Sequence, residues 1–268
     1  MKSQSIKFKS INVSFSDEGK GKAVVFLHGF LGAKEVWGPF SDLLSKTQRV
    51  ITIDLLGHGG TDCLSYVHTM EEMAEAVQAV LTHLKLRKYF LVGHSLGGYV
   101  SLALAEQNPD NVKGLVMFHS SAKADDAKKK HDRNRVVRIV KMSPELFVNE
   151  AVPNLFNTEY KPNKRGIALY KKIAFAVSKQ GVIAALEGMK DRADREIVLK
   201  FAPYPVLFII GEKDNILPYK ELIIQASLPE KGRFLLLKNS GHMGFIEAKE
   251  ETFKAIKTFV LENYVTFR

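Results

Sequence analysis

The chain has 268 residues, 46% of them hydrophobic and 25% charged, with a formal net charge of +10 and a single cysteine, Cys63. That composition belongs to a globular domain and excludes a disordered, collagenous or disulfide-stapled chain, and a chain of this length buries enough core to need neither disulfide nor structural metal. The lysines and arginines are spread along the sequence, with one concentration near 128–141 and no nucleic-acid-binding motif beside it, so the basic excess reads as a solvated surface.

The first residues, Met1–Lys7, are polar and lack the apolar segment of a secretory signal, and no apolar run is long enough to span a bilayer. The expectation is a cytoplasmic protein, monomer or homodimer, with no nucleic-acid or membrane partner. Ile6, Phe8, Ile11, Val13 and Phe15 alternate with polar residues, with a shift near Lys9–Ser10, which predicts an antiparallel edge hairpin. Ala23–Leu27, Val50–Ile53, Tyr89–Val92, Leu115–Phe118, Val206–Ile210 and Phe234–Leu237 are nearly continuous apolar runs. Strands covered by helices on both faces have this character. Met70, Met73, Val77, Val80, Leu81 and Leu84 recur at helical spacing behind a Thr69/Glu72 capping-box pattern, and Leu96–Glu106 and Glu250–Leu261 also read as helices. The β-α alternation predicts an open, mostly parallel, doubly wound α/β sheet. From Ala122 to about Arg195 no strand-like run occurs, only charged helical sequence. Val136, Ile139 and Val140, then Leu146–Val148, then Leu169–Val177 supply apolar faces. We read two parts: a core of residues 1–121 and 196–268, and a helical cap of 122–195 over the carboxyl edge of the sheet.

Gly93-His94-Ser95-Leu96-Gly97-Gly98 directly follows one strand and opens a helix. Gly-x-Ser-x-Gly in that setting is a nucleophile elbow: a sharp turn lifts the serine hydroxyl above the sheet, and small residues two positions to either side avoid collision. A serine hydroxyl needs a base to take its proton. Of eight histidines, His242 is the candidate, in a loop just after the last apolar run. His28, His58 and His94 are expected to pack or hydrogen-bond around the site, His119 to line the pocket from a strand end, and His68, His83 and His131 to sit on helix surfaces. A carboxylate must hold the base in one tautomer. Asp214, just after Val206–Ile210, is the best placed, with Glu212 its nearest rival and Asp125 and Asp126 too far along their loop. The tetrahedral oxyanion needs donors, assigned to the backbone N–H groups of Leu96, after the nucleophile, and Phe30, in the His28-Gly29-Phe30 loop.

Together the segments Val24–Phe30, Asp54–Gly59, Gly93–Gly98, Gly211–Asp214 and Ser240–Glu247 resemble the α/β-hydrolase superfamily, in its order and over nearly the whole chain outside the insertion. The resemblance implies an eight-stranded, mostly parallel core with helices on both faces, a variable helical cap, no cofactor and no metal. His28, His94, His119 and Met243 are the expected substrate-binding residues. A serine at position 95 differs from the carboxylate of haloalkane dehalogenases and epoxide hydrolases, and His-Gly-Phe differs from the His-Gly-Gly-Gly of many lipases. The chain looks closer to small capped carboxylesterases and enol-lactone hydrolases. His28-Gly29-Phe30-Leu31-Gly32 with Trp37 also resembles the menaquinone-pathway lyase that uses the same triad, in which cap arginines hold substrate carboxylates. Arg133, Arg135 and Arg138 lie in that region, but no role is carried over to them.

The primary expectation is hydrolysis of a small carboxylic ester or lactone through an acyl-enzyme on Ser95. The alternatives are a perhydrolase, or a lyase or carbon–carbon bond hydrolase acting on an acidic metabolite, using the same triad, and a ligand receptor or nucleic-acid binder on a hydrolase scaffold. A cluster of cap arginines facing Ser95 would favour the acidic substrate.

Overall fold

The six apolar runs become six parallel strands, each ending at the same edge of one sheet. The computed structural model describes residues 2–159 and 163–263. Strands β1 (Ser3–Phe8) and β2 (Ile11–Gly19) form the predicted hairpin, turning at Lys9, whose φ is +51°. β3 (Ala23–Leu27), β4 (Arg49–Ile53), β5 (Tyr89–His94), β6 (Val112–Phe118), β7 (Val206–Gly211) and β8 (Gly232–Leu237) complete an eight-stranded sheet in the order β1-β2-β4-β3-β5-β6-β7-β8. Only the β1–β2 and β2–β4 pairings are antiparallel.

The central strands β3, β5 and β7 are buried throughout, as doubly covered strands must be. The last run departs from the expectation. β8 is the far edge, Phe234 is exposed and Leu235 and Leu236 are half-buried, because among the described residues no strand pairs beyond it.

Helices α1 (Gly38–Leu44), α2 (Met70–His83) and α3 (Leu96–Gln107) flank the first half of the sheet. Thr69 caps α2 as its spacing predicts, its hydroxyl accepting the Glu72 N–H at 3.1 Å. Between β6 and β7 come α4 (Ala127–Met142), α5 (Pro144–Asn154), α6 (Lys164–Ala176), α7 (Lys179–Lys190) and the short α8 (Glu196–Lys200), with no strand among the described residues. α4 packs on α7 and α5, and α5 on α6. Their inward faces are narrower than the sequence runs suggest. Val137, Val140, Val148, Val152, Tyr170 and Ala174 are buried, while Leu146, Leu169 and Phe175 are exposed. A helix can turn only one stripe inward, and the runs contain more apolar residues than the stripe holds. After β7 follow α9 (Tyr219–Ala226), the single turn α10 (Gly244–Glu247) and α11 (Lys249–Glu262). No helix among the described residues is long and apolar enough to cross a membrane.

Candidate active site

Ser95 occupies the sharp turn between β5 and α3 at φ +50°, ψ −112°, a conformation that non-glycine side chains resist. Its neighbours explain how the strain is held. A Cβ on Gly93 would lie 2.4 Å from Gly97 O, and one on Gly97 would lie 2.4 Å from Leu27 O, so neither position admits a side chain. The Ser95 N–H donates to Phe118 O at 2.9 Å, and the Ser120 hydroxyl donates to Ser95 O at 2.7 Å. The residues on either side are buried and Ser95 is half-buried, so the hydroxyl is the part of the elbow that meets solvent.

Asp214 stands in the loop after β7. Its Oδ1 accepts the Ile216 and Leu217 N–H groups at 2.8 and 3.0 Å, and its Oδ2 accepts His242 Nδ1–H at 2.7 Å. Burial by itself raises a carboxyl pKa; here the neighbouring His242 and His119 outweigh it and hold Asp214 well below the ordinary range. The carboxylate therefore assigns the proton to His242 Nδ1 and leaves Nε2 as the basic nitrogen. Glu212, the rival acid, forms no hydrogen bond or ion pair with His242 among the described residues. Asp125 and Asp126 line the same cavity but form no hydrogen bond or ion pair with His242 among the described residues: buried Asp125 pairs with Arg192 at 2.6 Å and with Arg133.

His242 follows β8 and is tethered on both sides. Its N–H donates to Leu155 O of the inserted segment at 2.7 Å, and its carbonyl accepts from His94 Nε2 at 2.9 Å. Ser95 and His242 line one cavity of about 630 Å³ with Phe30, Leu31, Tyr99, Tyr170 and residues of α4, α5 and α7. Among the described residues no hydrogen bond joins the Ser95 hydroxyl to His242 Nε2. The N–H groups of Phe30 and Leu96 donate to no acceptor among the described residues, and Phe30 lines the cavity.

Of the four expected substrate contacts, one lines the cavity and three lie outside its lining. His94 lines the cavity but is nearly all covered. His28 is fully buried beside it: Nε2 accepts the Leu55 N–H at 3.0 Å and Nδ1–H donates to Gly29 O at 2.8 Å, so it ties the oxyanion loop to the Asp54–Gly59 loop instead of facing substrate. His119 is buried behind the acid, Nδ1 3.5 Å from Asp214 Oδ2 and Nε2 3.2 Å from Gly244 N. Met243 packs in the core, fully covered. His68 is also a correction. It is buried rather than on a helix surface, its Nε2 accepting the Leu64 N–H at 3.2 Å.

Several contributors escaped the sequence reading. Glu247 accepts from Gly241 N at 2.9 Å, Asn157 N at 2.7 Å and the Ser240 hydroxyl at 3.2 Å, clamping the His242 loop to the inserted segment. Its position five residues after the histidine was visible but carried no role. Buried Lys34 pairs with Asp54 at 2.8 Å and donates its own N–H to Asp54 Oδ1 at 2.7 Å, anchoring the far end of the oxyanion loop. Arg192 stacks 4.1 Å over the Tyr99 ring. The set closest to a metal-binding group among the described residues is His119, Asp214 and His242, with donor atoms within 4.8 Å of one another. Those atoms already bond one another and backbone amides.

Buried histidines give the protein a pH signature. Burial lowers the pKa of His28, His94 and His119, and that of His58 to about 3. These rings are neutral in the fold and charge near pH 6.5 once unfolded. Stability is therefore complete above about pH 6.5 and declines as pH falls below it, by about 2 kcal/mol for His58 alone at pH 5. Asp214, held low, contributes above about 3.8 and is lost only at still lower pH, and Glu247, raised by burial, opposes the trend slightly. A urea midpoint that stays level between pH 7 and 5 would contradict the neutral rings.

The comparisons agree with this architecture. Residues 22–162 match the family described as alpha/beta hydrolase fold. The chain is 29% identical, over 90% of its length, to the dihydrolipoyllysine-residue acetyltransferase component of an acetoin cleaving system from Pseudomonas putida, and spans 64% of that protein. It is 27% identical to a putative 2-succinyl-6-hydroxy-2,4-cyclohexadiene-1-carboxylate synthase of Bacillus subtilis (strain 168), covering 93% of this chain and 95% of that one. A thermophilic esterase from Thermogutta terrifontis, solved with malate bound, superposes with a TM-score of 0.93 at 28% identity, covering 99% of this chain and 100% of the other.

Proposed function

The chain belongs to the alpha/beta hydrolase fold family, and from that premise we propose that it is a serine hydrolase cleaving a small carboxylic ester or lactone through an acyl-enzyme. The observation that carries the reading is the Asp214–His242 pair at 2.7 Å opening onto the cavity that also holds Ser95. His242 Nε2 takes the Ser95 proton as the hydroxyl attacks the carbonyl carbon. The Phe30 and Leu96 N–H groups receive the oxyanion. His242 then protonates the leaving alkoxide and, in the second half-reaction, activates the water that releases the acid. Asp214 stabilises the imidazolium formed in each half. The helices of 122–195 act as a cap that closes the cavity and selects the substrate. A volume of about 630 Å³ suits a small molecule, and esterase activity in a structural relative supports the bond type. The test is turnover of p-nitrophenyl acetate and of a lactone panel, with loss of both on removal of the Ser95 hydroxyl.

One observation favours a second reading, in which the substrate also carries a carboxylate. The cavity is lined by Lys128, Lys129, Arg133, Arg135 and Arg192 against Asp125, Asp126 and Asp132. Asp125 compensates one of its two arginines, and the buried Arg192 Nε has no partner among the described residues. A carboxylate would supply what is missing. A carboxylate synthase among the relatives, and malate in the esterase, fit the same chemistry and admit a lyase using the same triad. Arg135→Gln is expected to raise KM for a carboxylate-bearing ester about three- to tenfold, the scale of one partly screened charge, and to leave a neutral ester unchanged. Equal KM shifts for both would remove the charge argument.

A further inference from the structure

We propose that Tyr170 of the inserted helix α6 is a positioning residue that holds the oxyanion loop in a strained turn, so that seating of the inserted helices sets the donor geometry of the hydrolytic site. The proposal rests on the hydrolase reading and adds to it a residue from outside the core.

The loop after β3 is a tight turn, closed by the Gly32 N–H donating to Gly29 O at 3.0 Å. Leu31, its third residue, has φ +62°. That is the pattern of a type II turn, whose third position favours glycine because a side chain there is crowded. A leucine relaxes by a flip of the Phe30–Leu31 peptide, which gives a type I turn open to any residue and swings the Phe30 carbonyl to the other side. The Phe30 amide, one of the two oxyanion donors, sits at the adjoining peptide and shifts with it.

What opposes the flip comes from the insertion. The Tyr170 hydroxyl donates to Phe30 O at 3.2 Å. Tyr170 is only 1% exposed, and burial raises its pKa, which keeps the donor proton in place. The bare Gly32 makes room for it: a Cβ there would stand 3.0 Å from the hydroxyl. Phe147 of α5 packs on the Phe30 ring at 6.2 Å between centroids. Two helices outside the core thus hold the loop that feeds the site.

The experiment compares wild type, Tyr170→Phe, Leu31→Gly and the double variant with p-nitrophenyl acetate, and measures inhibition by phenylboronic acid, which forms a tetrahedral adduct on the serine. Tyr170→Phe is expected to lower kcat about tenfold, a fraction of the 10²–10³ lost when an oxyanion donor is deleted. KM should stay within about twofold, and boronate affinity should fall by the same factor as kcat. Glycine tolerates the left-handed turn unaided. In the Leu31→Gly background, therefore, the Tyr170→Phe effect should shrink to about twofold, a coupling that a merely structural tyrosine does not produce. Thermal melts confirm that each variant is folded at the assay temperature. An unchanged kcat overturns the proposal. So does a rise in KM alone, which would make Tyr170 a substrate contact, and so does an equal loss in both backgrounds. A wild type with no Ser95-dependent turnover removes the hydrolase reading itself, a result distinct from any Tyr170 outcome.

Discussion

Ser95→Ala is expected to lower kcat for p-nitrophenyl acetate by roughly 10⁵- to 10⁶-fold and to abolish fluorophosphonate labelling, the scale seen when a triad nucleophile is removed. The reason is local. The elbow is held by the Ser95 N–H on Phe118 O, by Ser120 on Ser95 O and by glycines at 93 and 97. None of these uses the side-chain hydroxyl, so the variant keeps the turn and the cavity and loses only the nucleophile. A folded Ser95→Ala protein that still turned over ester and still took the label would place the chemistry on another residue.

Asp214→Asn is expected to cost roughly 10⁴ in kcat with little change in KM, through the wrong tautomer of the base. The Ile216 and Leu217 amides both donate to Oδ1. They fix which end of an asparagine amide is which: its oxygen must stay with them, and its NH₂ must face His242 Nδ1. The histidine then accepts on Nδ1, carries its proton on Nε2, and presents a donor where Ser95 needs an acceptor. Single-turnover kinetics check this, since both acylation and deacylation rely on the same nitrogen. A loss below about tenfold would mean that another group orients the ring, and His119, 3.5 Å from the same carboxylate, would be the one to examine.

Most of the frame was legible in the residues. Six apolar runs of strand length, each followed by helical periodicity or a turn, leave few arrangements other than a parallel sheet with its loops gathered at one edge. The elbow was legible for the same reason. Gly93 and Gly97 are required by backbone atoms 2.4 Å from any added Cβ, a local constraint that leaves its mark in the sequence. Asp214 and His242 could be chosen because strand ends converge and only a few acids and histidines sit on them. Less was legible where side-chain direction decides. His28 and Met243 lie within a residue or two of site positions and His119 follows the strand that pairs with the one leading to Ser95, yet the three side chains bind an amide, back Asp214 or fill the core. β8 had the composition of an interior strand and became an edge, because nothing in its own six residues reports whether a further strand pairs with it.

By itself the sequence determined the α/β alternation, the serine on its strained turn and the placing of Asp214 and His242 in loops after later strands, since these depend on short-range sterics and on periodicities that neighbouring residues set together. Only the tertiary structure decided which charges compensate one another in the cavity, that Glu247 and Leu155 moor the His242 loop to the segment after α5, and that Tyr170 reaches Phe30 across 140 positions. Hydrogen bonds between groups so far apart in the chain depend on how two packed layers happen to meet, and no local pattern of residue types encodes that meeting.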